Sequence, residues 1–169
     1  MRYLIRPMMI EDLPLVIQIE ETCFPQPWSE DLYRQELVTN SVARYLALFE
    51  GEELLGYVGI WLIVGEVHIT TIAVREDRRR QGIGEALLIA VIDLAADHGA
   101  DLITLEVRQA NVAARQMYRK FGFTEVGMRP RYYSETGEDA VLMNAEDINS
   151  EAFQQHLLEL KEANMARRK

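Results

Sequence analysis

Residues 66–86, EVHITTIAVREDRRRQGIGEA, decide the fold because they hold a strand, a basic turn and the start of a helix. The first nine residues are rich in β-branched side chains, which predicts a strand ending at Val74. Apolar residues recur at helical spacing over 82–97, which predicts an amphipathic helix that Gly99 ends. The turn between them holds three consecutive arginines and two glycines spaced by one residue. This order of elements is typical of an α/β protein.

The flanking sequence extends this pattern into a mixed sheet. Three β-rich runs joined by short turns, 43–49, 54–64 and 66–74, predict an antiparallel meander. The other predicted elements are strands at 3–8, 102–107, 124–128 and 140–143, and helices at 11–22, from Ser29, at 111–121 and in the tail from Ser150. The predicted fold class is therefore α/β, with a mostly antiparallel sheet, a central parallel pair and flanking helices. Ligands bind at the carboxyl ends of parallel strands, which here follow Val74 and Val107.

Length and composition limit the functions that are open to this chain. It has 169 residues, enough for one domain with its own core, and a net charge of −9. A negative surface argues against direct nucleic-acid binding, since each phosphate contact needs a cation. No apolar run approaches the roughly 20 residues of a membrane span, and none near Met1 has the length of a secretory signal. The single Cys23 leaves no internal disulfide and no metal cluster, so we expect no metal and a cytoplasmic location.

The turn before the predicted helix is a candidate anion site. Backbone N–H groups at a helix N-terminus lack partners and carry the positive end of the helix dipole. Arginines 78–80 add positive charge beside them in a chain of opposite net charge, which indicates a polyphosphate ligand. A P-loop is excluded because Gly84 is followed by Glu85 and not by lysine. A dinucleotide fingerprint ranks second, because position 87 holds leucine where that motif needs a third glycine.

A second candidate site follows the next strand. Alternation over 103–107 puts Glu106 on the face opposite the apolar side chains, where a carboxylate is costly unless it faces a cavity. Asn111 is the predicted N-cap of the following helix, and Tyr118 lies two turns further on, near the same helical face. Glu106, Asn111 and Tyr118 could therefore surround a single point, although a packed tyrosine is the simpler interpretation from spacing alone.

These motifs resemble those of the GNAT N-acetyltransferases. The first half of the resemblance is Arg79-x-x-Gly82-x-Gly84 preceded by TTIAV, and the second is LEVR-x-x-N-x-x-A-x-x-x-Y over 105–118, followed by FGF. More narrowly, the chain resembles the bacterial ribosomal-protein-alanine N-acetyltransferases, which share its FP-x-x-WS loop at 24–29, RYY at 131–133 and EDA at 138–140. The VHIT run at 67–70 also resembles archaeal and eukaryotic N-terminal acetyltransferases. The likeness covers about residues 2–144.

The resemblance implies a fold, a co-substrate and a role for each motif residue. The parallel strands would splay to admit acetyl-CoA, with Glu106 as general base on the amine and Tyr118 as general acid for the thiolate. The residues implied to bind acetyl-CoA are Ile72, Ala73 and Val74 along the pantetheine arm, Arg79, Arg80, Gln81, Gly82, Ile83, Gly84 and Glu85 at the pyrophosphate, and Asn111. Glu85 departs from the family pattern, because it puts an acid beside the pyrophosphate turn.

The chemistry of direct transfer favours a protein N-terminus as the acceptor. An α-amine of pKa about 7.7–8.0 is roughly 10–15% neutral at pH 7, whereas lysine would cost about 3.4 kcal/mol more to deprotonate. Phe24 and Trp28 in the early loop and Arg131, Tyr132 and Tyr133 near the end are the predicted contacts for the N-terminus of a ribosomal protein. Anchoring of the loops is an equally good explanation for these side chains. Cys23 is predicted to pack and not to react. His68 could face the cleft from its strand, but we expect it to be packed or at an edge.

Two other functions and several features stay open at this point. The alternatives are acetylation of a small amine, such as a polyamine or an antibiotic, and a non-catalytic acetyl-CoA sensor; the presence of both Glu106 and Tyr118 weighs against the sensor. We expect a catalytic domain over 1–148 and a helical tail over 149–169, whose role is undecided between capping the fold and meeting a partner. A homo-oligomer is left open.

Overall fold

A computed structural model describes residues 2–168, which form one sheet with helices on both faces. The strands are β1 (Tyr3–Pro7), β2 (Ala43–Glu50), β3 (Glu53–Ile63), β4 (Glu66–Val74), β5 (Leu102–Arg108), β6 (Thr124–Tyr133) and β7 (Glu138–Ala145). The helices are α1 (Leu13–Cys23), α2 (Glu30–Val38), α3 (Ile83–Asp97), α4 (Val112–Lys120) and α5 (Glu151–Arg167). The strand order is β1-β2-β3-β4-β5-β7-β6. No helix within 2–168 combines the length and the apolarity that crossing a membrane would need.

The sheet confirms the predicted mixture of antiparallel strands with one parallel pair at its centre. Strands β4 and β5 run parallel, and the other neighbouring strands of the described sheet are antiparallel. The parallel pairing covers only the start of each strand, from Glu66 opposite Leu102 to Ile69 opposite Leu105. Beyond that point the two strands part: β4 stays paired with β3 and β5 with β7, but the edges of β4 and β5 that face each other no longer pair.

A β-bulge lies where the two strands part. Gly59 of β3 pairs with Thr71 and Ile60 pairs with Ile69, so Thr70 is an extra residue on β4. One extra residue reverses the alternation of side chains. Ile69 accordingly belongs to the core on one face of the sheet, whereas Ala73 belongs to the core on the other. Bulges of this kind often lie beside active sites, where they redirect a strand.

Two apolar clusters hold the helices against the sheet. The α3-side cluster includes Leu87 and Val91 of α3, Phe121 after α4 and Leu157 of α5. The α1-side cluster includes Leu13, Val16, Tyr33 and Tyr57, among others. Each fully buried side chain of this size contributes about 1.5–3 kcal/mol relative to exposure, so packing stabilises both layers. Leu105 and Val107 point into the α3-side cluster, which turns Glu106 toward the α1 side.

The end of the chain differs from the prediction in one strand and decides the role of the tail helix. Strand β6 continues to Tyr133 and does not stop at residue 128, so the segment 129–133 that we expected to be a loop is strand. Its register breaks between Arg129 and Tyr133, because the pairing with β7 jumps there. Helix α5 packs the predicted apolar face, Phe153, Leu157 and Leu160, against the α3-side cluster. The tail helix therefore caps the fold, while the division of the chain at residue 148 stays a prediction.

Candidate active site

Glu106 lies one residue beyond the last pair of the parallel strands and meets His68 there. The Nε2 atom of His68 is 2.6 Å from the carboxylate Oε2 of Glu106, and a guanidinium nitrogen of Arg129 is 3.6 Å from Oε1. The Glu106 side chain is 10% exposed. The hydrogen bond with His68, aided by the charges of His68 and Arg129, lowers the pKa of Glu106 below its ordinary value despite burial. Glu106 is therefore a carboxylate at neutral pH and can accept a proton.

His68 is a site residue that sequence reasoning missed. We expected it to pack, and it instead lies against the candidate base. Its ring is also perpendicular to that of Trp61 at 6.0 Å, and the Trp61 indole donates a hydrogen bond to Glu36 at 2.9 Å. The alternation of side chains along β4 could have indicated this position, because His68 points to the face of the sheet opposite to that of the buried Val67 and Ile69. What the sequence does not give is the register in which β4 pairs with β5.

Tyr118, the candidate general acid, is buried in α4. Its side chain belongs to the α3-side cluster, with its ring 5.5 Å from that of Phe123. Burial raises the pKa of Tyr118 above its ordinary value of 10, and the nearby Tyr133 raises it further. The phenol therefore keeps its proton across the neutral and mildly alkaline range. A group in this state can donate a proton but cannot act as a base.

Asn111 caps α4, as the sequence predicts. Its side-chain Oδ1 accepts a hydrogen bond from the Ala114 N–H at 3.1 Å. This bond occupies the acceptor of the side-chain amide and leaves the Nδ2 donor without a partner among residues 2–168. The cap and a contact with a ligand can therefore coexist on the same side chain, and the ligand contact stays a prediction.

The turn between β4 and α3 has the backbone shape of an anion site. Arg80 and Gly82 both adopt positive φ, at 63° and 80°, immediately before the first turn of α3. Left-handed residues among right-handed ones turn successive N–H groups inward, which makes a concave binding surface for anions. A left-handed arginine costs about 1–3 kcal/mol, so the surrounding structure must hold this conformation.

The three arginines of this turn have different partners, and only Arg78 departs from the expectation that all of them add charge to the anion site, because carboxylates pair with it. Arg78 forms an ion pair with Glu50 at 3.2 Å. Arg79 donates to the Val74 carbonyl at 3.4 Å and lies 3.4 Å from the Cys23 sulfur. Arg80 alone has no polar side-chain partner within 2–168. The carbonyl of Val74, expected along the pantetheine arm, is thus already engaged by Arg79.

A family comparison agrees with this geometry. The model of the acetyltransferase (GNAT) family matches residues 13–123, which contain both arms of the split sheet and the basic turn. The chain belongs to the GNAT family. It is therefore an acetyltransferase, and the predicted fold and enzyme class are confirmed.

Individual relatives narrow the resemblance within the GNAT family. A putative [ribosomal protein bS18]-alanine N-acetyltransferase of Bacillus subtilis is 38% identical over 139 residues, 82% of this chain and 92% of the relative. An N-alpha-acetyltransferase of Sulfolobus acidocaldarius is 34% identical over 156 residues, 85% of this chain and 92% of the relative. The crystal structure of the Escherichia coli ribosomal-protein-S18-alanine N-acetyltransferase is 30% identical with a TM-score of 0.79, covering 86% and 94% of the two chains.

The early loop of this GNAT chain is held by a buried carboxylate that sequence reasoning did not single out. Glu20 is 4% exposed and accepts hydrogen bonds from the Tyr33 hydroxyl at 2.9 Å, from the Tyr57 hydroxyl and from the Trp28 N–H at 3.2 Å. Trp28 packs its ring 5.5 Å from that of Tyr33 and stays 38% exposed. Phe24 packs against the α1-side cluster. A glutamate on the apolar stripe of α1 was the available signal.

The hairpin of β6 and β7 brings the second group of predicted substrate residues toward Glu106. Arg129 lies 5.8 Å from the Tyr132 ring while its nitrogen faces Glu106. Tyr132 is 46% exposed and stands perpendicular to Tyr133 at 5.1 Å. Burial raises the pKa of Tyr133 to about 12. Arg131 has a positive φ of 51°, and its N–H donates to Asp139 at 2.9 Å.

Neighbouring cations compensate for Glu85, the acidic residue beside the pyrophosphate turn that departs from the family pattern. Its side chain is 12% exposed and is bound by two cations, Arg167 of α5 at 2.8 Å and Lys120 of α4 at 2.7 Å. The negative charge beside the anion turn is therefore neutralised by neighbouring elements. Residues 2–168 contain no group of three or more His, Cys, Asp or Glu side chains arranged to hold a metal ion.

Proposed function

We propose that this acetyltransferase moves an acetyl group from acetyl-CoA to the N-terminal α-amine of a ribosomal protein, of the bS18 type that begins with alanine or serine. The observation that carries the proposal is the Glu106–His68 pair at the split between β4 and β5. The names of the relatives from Bacillus subtilis and Escherichia coli support the choice of substrate. The reaction would take place in the cytoplasm, where ribosomal proteins are made.

The residues along the split fit acetyl-CoA, which supplies its acetyl group as a thioester. Ile72 and Ala73 lie beyond the part of β4 that pairs with β5, so their backbone offers the strand edge on that side to an extended pantetheine arm. The turn from Arg79 to Glu85 presents amide donors at the N-terminus of α3, with Gly84 in its first turn. The Nδ2 donor of Asn111 is available at the start of α4. These groups provide donors for an anion and an edge for an amide-containing chain.

The base and the acid do complementary work in the proposed reaction. Glu106, with His68 bound to it, takes one proton from the α-ammonium group, which leaves a lone pair on nitrogen to form the new C–N bond. Once that bond has formed, the nitrogen loses its second proton to solvent, and Glu106 then returns its own proton to solvent. The C–S bond breaks, its electron pair stays on sulfur, and Tyr118 donates the proton that gives the thiol. The phenolate that remains regains its proton from solvent. A raised pKa of Tyr118 lets it hold that proton until the sulfur leaves.

The aromatic side chains beside the split are suited to a peptide. Trp28 and Tyr132 are partly exposed, and neighbouring residues restrict their movement. The backbone N–H of Trp28 donates a hydrogen bond to Glu20, and the ring of Tyr132 packs on that of Tyr133. Such side chains give contact area at a small cost in conformational entropy. We propose that Phe24 and Trp28 contact one side of the N-terminal peptide and that Arg131, Tyr132 and Tyr133 contact the other.

A substrate panel tests this function. The enzyme is incubated with isotope-labelled acetyl-CoA and an equal mixture of peptides that begin with alanine, serine, methionine and glutamate, together with free lysine and spermidine. Mass spectrometry then locates the label. The proposal predicts label on the α-nitrogen of the peptides that begin with alanine or serine. Label on spermidine or lysine alone would favour a small-amine acetyltransferase, and no turnover with intact acetyl-CoA binding would favour a sensor.

A further inference from the structure

Helix α5 reaches the anion turn through Asn164. The side-chain Nδ2 of Asn164 donates to the carbonyl oxygen of Gly82 at 2.9 Å, and the Asn164 residue is 1% exposed. The same carbonyl accepts the first hydrogen bond of α3, from Ala86 at 3.0 Å. A Cβ atom at Gly82 would lie 2.8 Å from Asn164 Nδ2. Asn164 therefore lies directly against the left-handed residue that shapes the turn.

The next turn of α5 contacts the same region through an ion pair. Arg167 binds both carboxylate oxygens of Glu85, at 3.1 and 2.8 Å. Residues 164 and 167 are three apart and so share one helical face. Two contacts from one face of α5 thus meet the first turn of α3 at Gly82 and at Glu85. Helix α5 lies outside the 13–123 range that matches the family model.

The first turns of α5 are anchored to the rest of the protein, so the helix can restrain the anion turn near its other end. Leu157 is buried in the α3-side cluster, and the His156 ring nitrogen bonds the Lys120 carbonyl at 2.8 Å. Phe153 lies against Gly122, where a Cβ atom would meet its ring at 3.0 Å. The helix is thus anchored at its start and touches the anion turn near its end. Through Asn164 the helix thereby restrains the backbone at Gly82, the left-handed residue that precedes α3.

We propose that α5 completes the acetyl-CoA site, with Asn164 and Arg167 as positioning residues that hold the pyrophosphate turn in its binding shape. Asn164 fixes the backbone at Gly82, while Arg167, together with Lys120 of α4, offsets the charge of Glu85 that would oppose a diphosphate. This inference rests on the proposed use of acetyl-CoA and does not depend on which amine is acetylated. It also gives the C-terminal tail a function beyond covering the core.

Calorimetric titration with CoA tests the role of Asn164. Asn164→Leu keeps the branched shape of the side chain in a somewhat larger group and removes the donor, so it should weaken CoA binding about 5–10-fold, the effect of losing one buried hydrogen bond. The KM for acetyl-CoA should rise by the same factor, with kcat and the peptide KM unchanged. Turnover of S-acetylpantetheine, which lacks the diphosphate, should match wild type. The control is Lys161→Ala, which removes the α5 pair with Asp93 away from the turn.

Two variants of Arg167 give a second, independent test that does not disturb the buried contact. Arg167→Ala should weaken CoA binding about 3–10-fold at low salt, whereas Arg167→Lys should restore most of the affinity. The loss should shrink as salt is raised, because the effect is electrostatic. These variants decide the matter if Asn164→Leu fails to fold.

The outcomes separate this inference from the proposed function. Wild-type CoA affinity in both Asn164→Leu and Arg167→Ala would overturn the positioning role and leave the proposed function intact. An equal loss with acetyl-CoA and with S-acetylpantetheine would show general destabilisation and would also overturn it. If the wild-type enzyme binds no CoA in the titration, the use of acetyl-CoA fails, and the role of α5 fails with it.

Discussion

The Nε2 atom of His68 lies 2.6 Å from Oε2 of Glu106, although the two residues are 38 positions apart in the chain. The parallel register explains the contact, since His68 is opposite Thr104 and Glu106 is the next residue of β5 on the same face. The last parallel pair is Ile69 with Leu105, so Glu106 lies one residue beyond the point where the two strands part and His68 lies one residue before it. The split of the sheet therefore exposes a carboxylate and an imidazole together, and the central claim of the proposed mechanism concerns this pair.

Replacing His68 with glutamine tests whether the imidazole supports the base. Glu106 would lose the contact that contributes most to its lowered pKa, so its carboxylate would be less firmly oriented. We expect His68→Gln to lower kcat by at least roughly tenfold at pH 7 while CoA affinity stays unchanged. His98→Gln, at the end of α3, is the matched control and should retain wild-type kcat. A wild-type kcat in His68→Gln would remove the imidazole from the mechanism.

The base and the acid can be tested one at a time. Glu106→Gln and Tyr118→Phe should each lower kcat by roughly 10²–10⁴-fold, because each removes one proton transfer and keeps the shape of the side chain. CoA binding, measured by calorimetry, should change little. Glu125→Gln, an exposed carboxylate paired with Arg115 and Arg119, serves as the control. Full activity in either active-site variant would show that its proposed role is wrong.

The pH profile of kcat/KM follows from the two shifted pKa values. The pKa of Glu106 is lowered, so the carboxylate is already ionised throughout pH 5–10 and is lost only in acid. The pKa of Tyr118 is raised, so its proton is present below pH 10 and is lost only above that. The substrate amine, with a pKa of about 7.7–8.0, should then set the profile, which should be about half-maximal near pH 8 and reach a plateau at about pH 9. Initial rates from pH 5 to 9.5 test this, and a decline between pH 8 and 9 would contradict the protonated state of Tyr118.

The buried carboxylate of Glu20 should matter for both stability and peptide binding. Glu20→Gln replaces an acceptor of three hydrogen bonds by a group that can accept fewer, which should cost about 1–3 kcal/mol of unfolding free energy. The loop that ends at Trp28 should loosen, so the peptide KM should rise while the KM for acetyl-CoA stays unchanged. Urea unfolding and steady-state kinetics measure the two effects. The neighbouring Glu21→Gln is exposed and should match wild type, and an unchanged peptide KM in Glu20→Gln would separate Glu20 from the substrate loop.

Local signals allowed much of the fold to be predicted from the sequence. Ser29 and Asn111 cap α2 and α4 as their side-chain chemistry requires, and the structure shows both cap bonds. The helix over 83–97 begins at the predicted glycine, because only its left-handed conformation closes the turn. The parallel pair could be predicted because β4, α3 and β5 follow one another as strand, helix and strand, a connection that is typical of parallel strands.

The features that sequence reasoning missed depend on contacts between distant segments. His68 meets Glu106 only because β4 and β5 pair in one register, which no local spacing fixes. The last residues of β6 pair with β7 in an irregular register. Their sequence therefore lacks the regular alternation of a strand, and we predicted a loop there. Asn164 binds Gly82 across 82 positions, and a polar residue inside an amphipathic helix does not indicate its partner.

One competition experiment tests the central claim most directly. Two peptides of the same sequence are compared at pH 7, one with a free α-amine and its lysine blocked, the other with a blocked α-amine and a free lysine. A carboxylate supported by an imidazole is a weak base, so the account predicts that the rate follows the fraction of neutral amine. Initial rates should therefore favour the α-amine by about 100-fold or more, because its pKa is lower than that of lysine. Equal rates, or a preference for the lysine peptide, would contradict it.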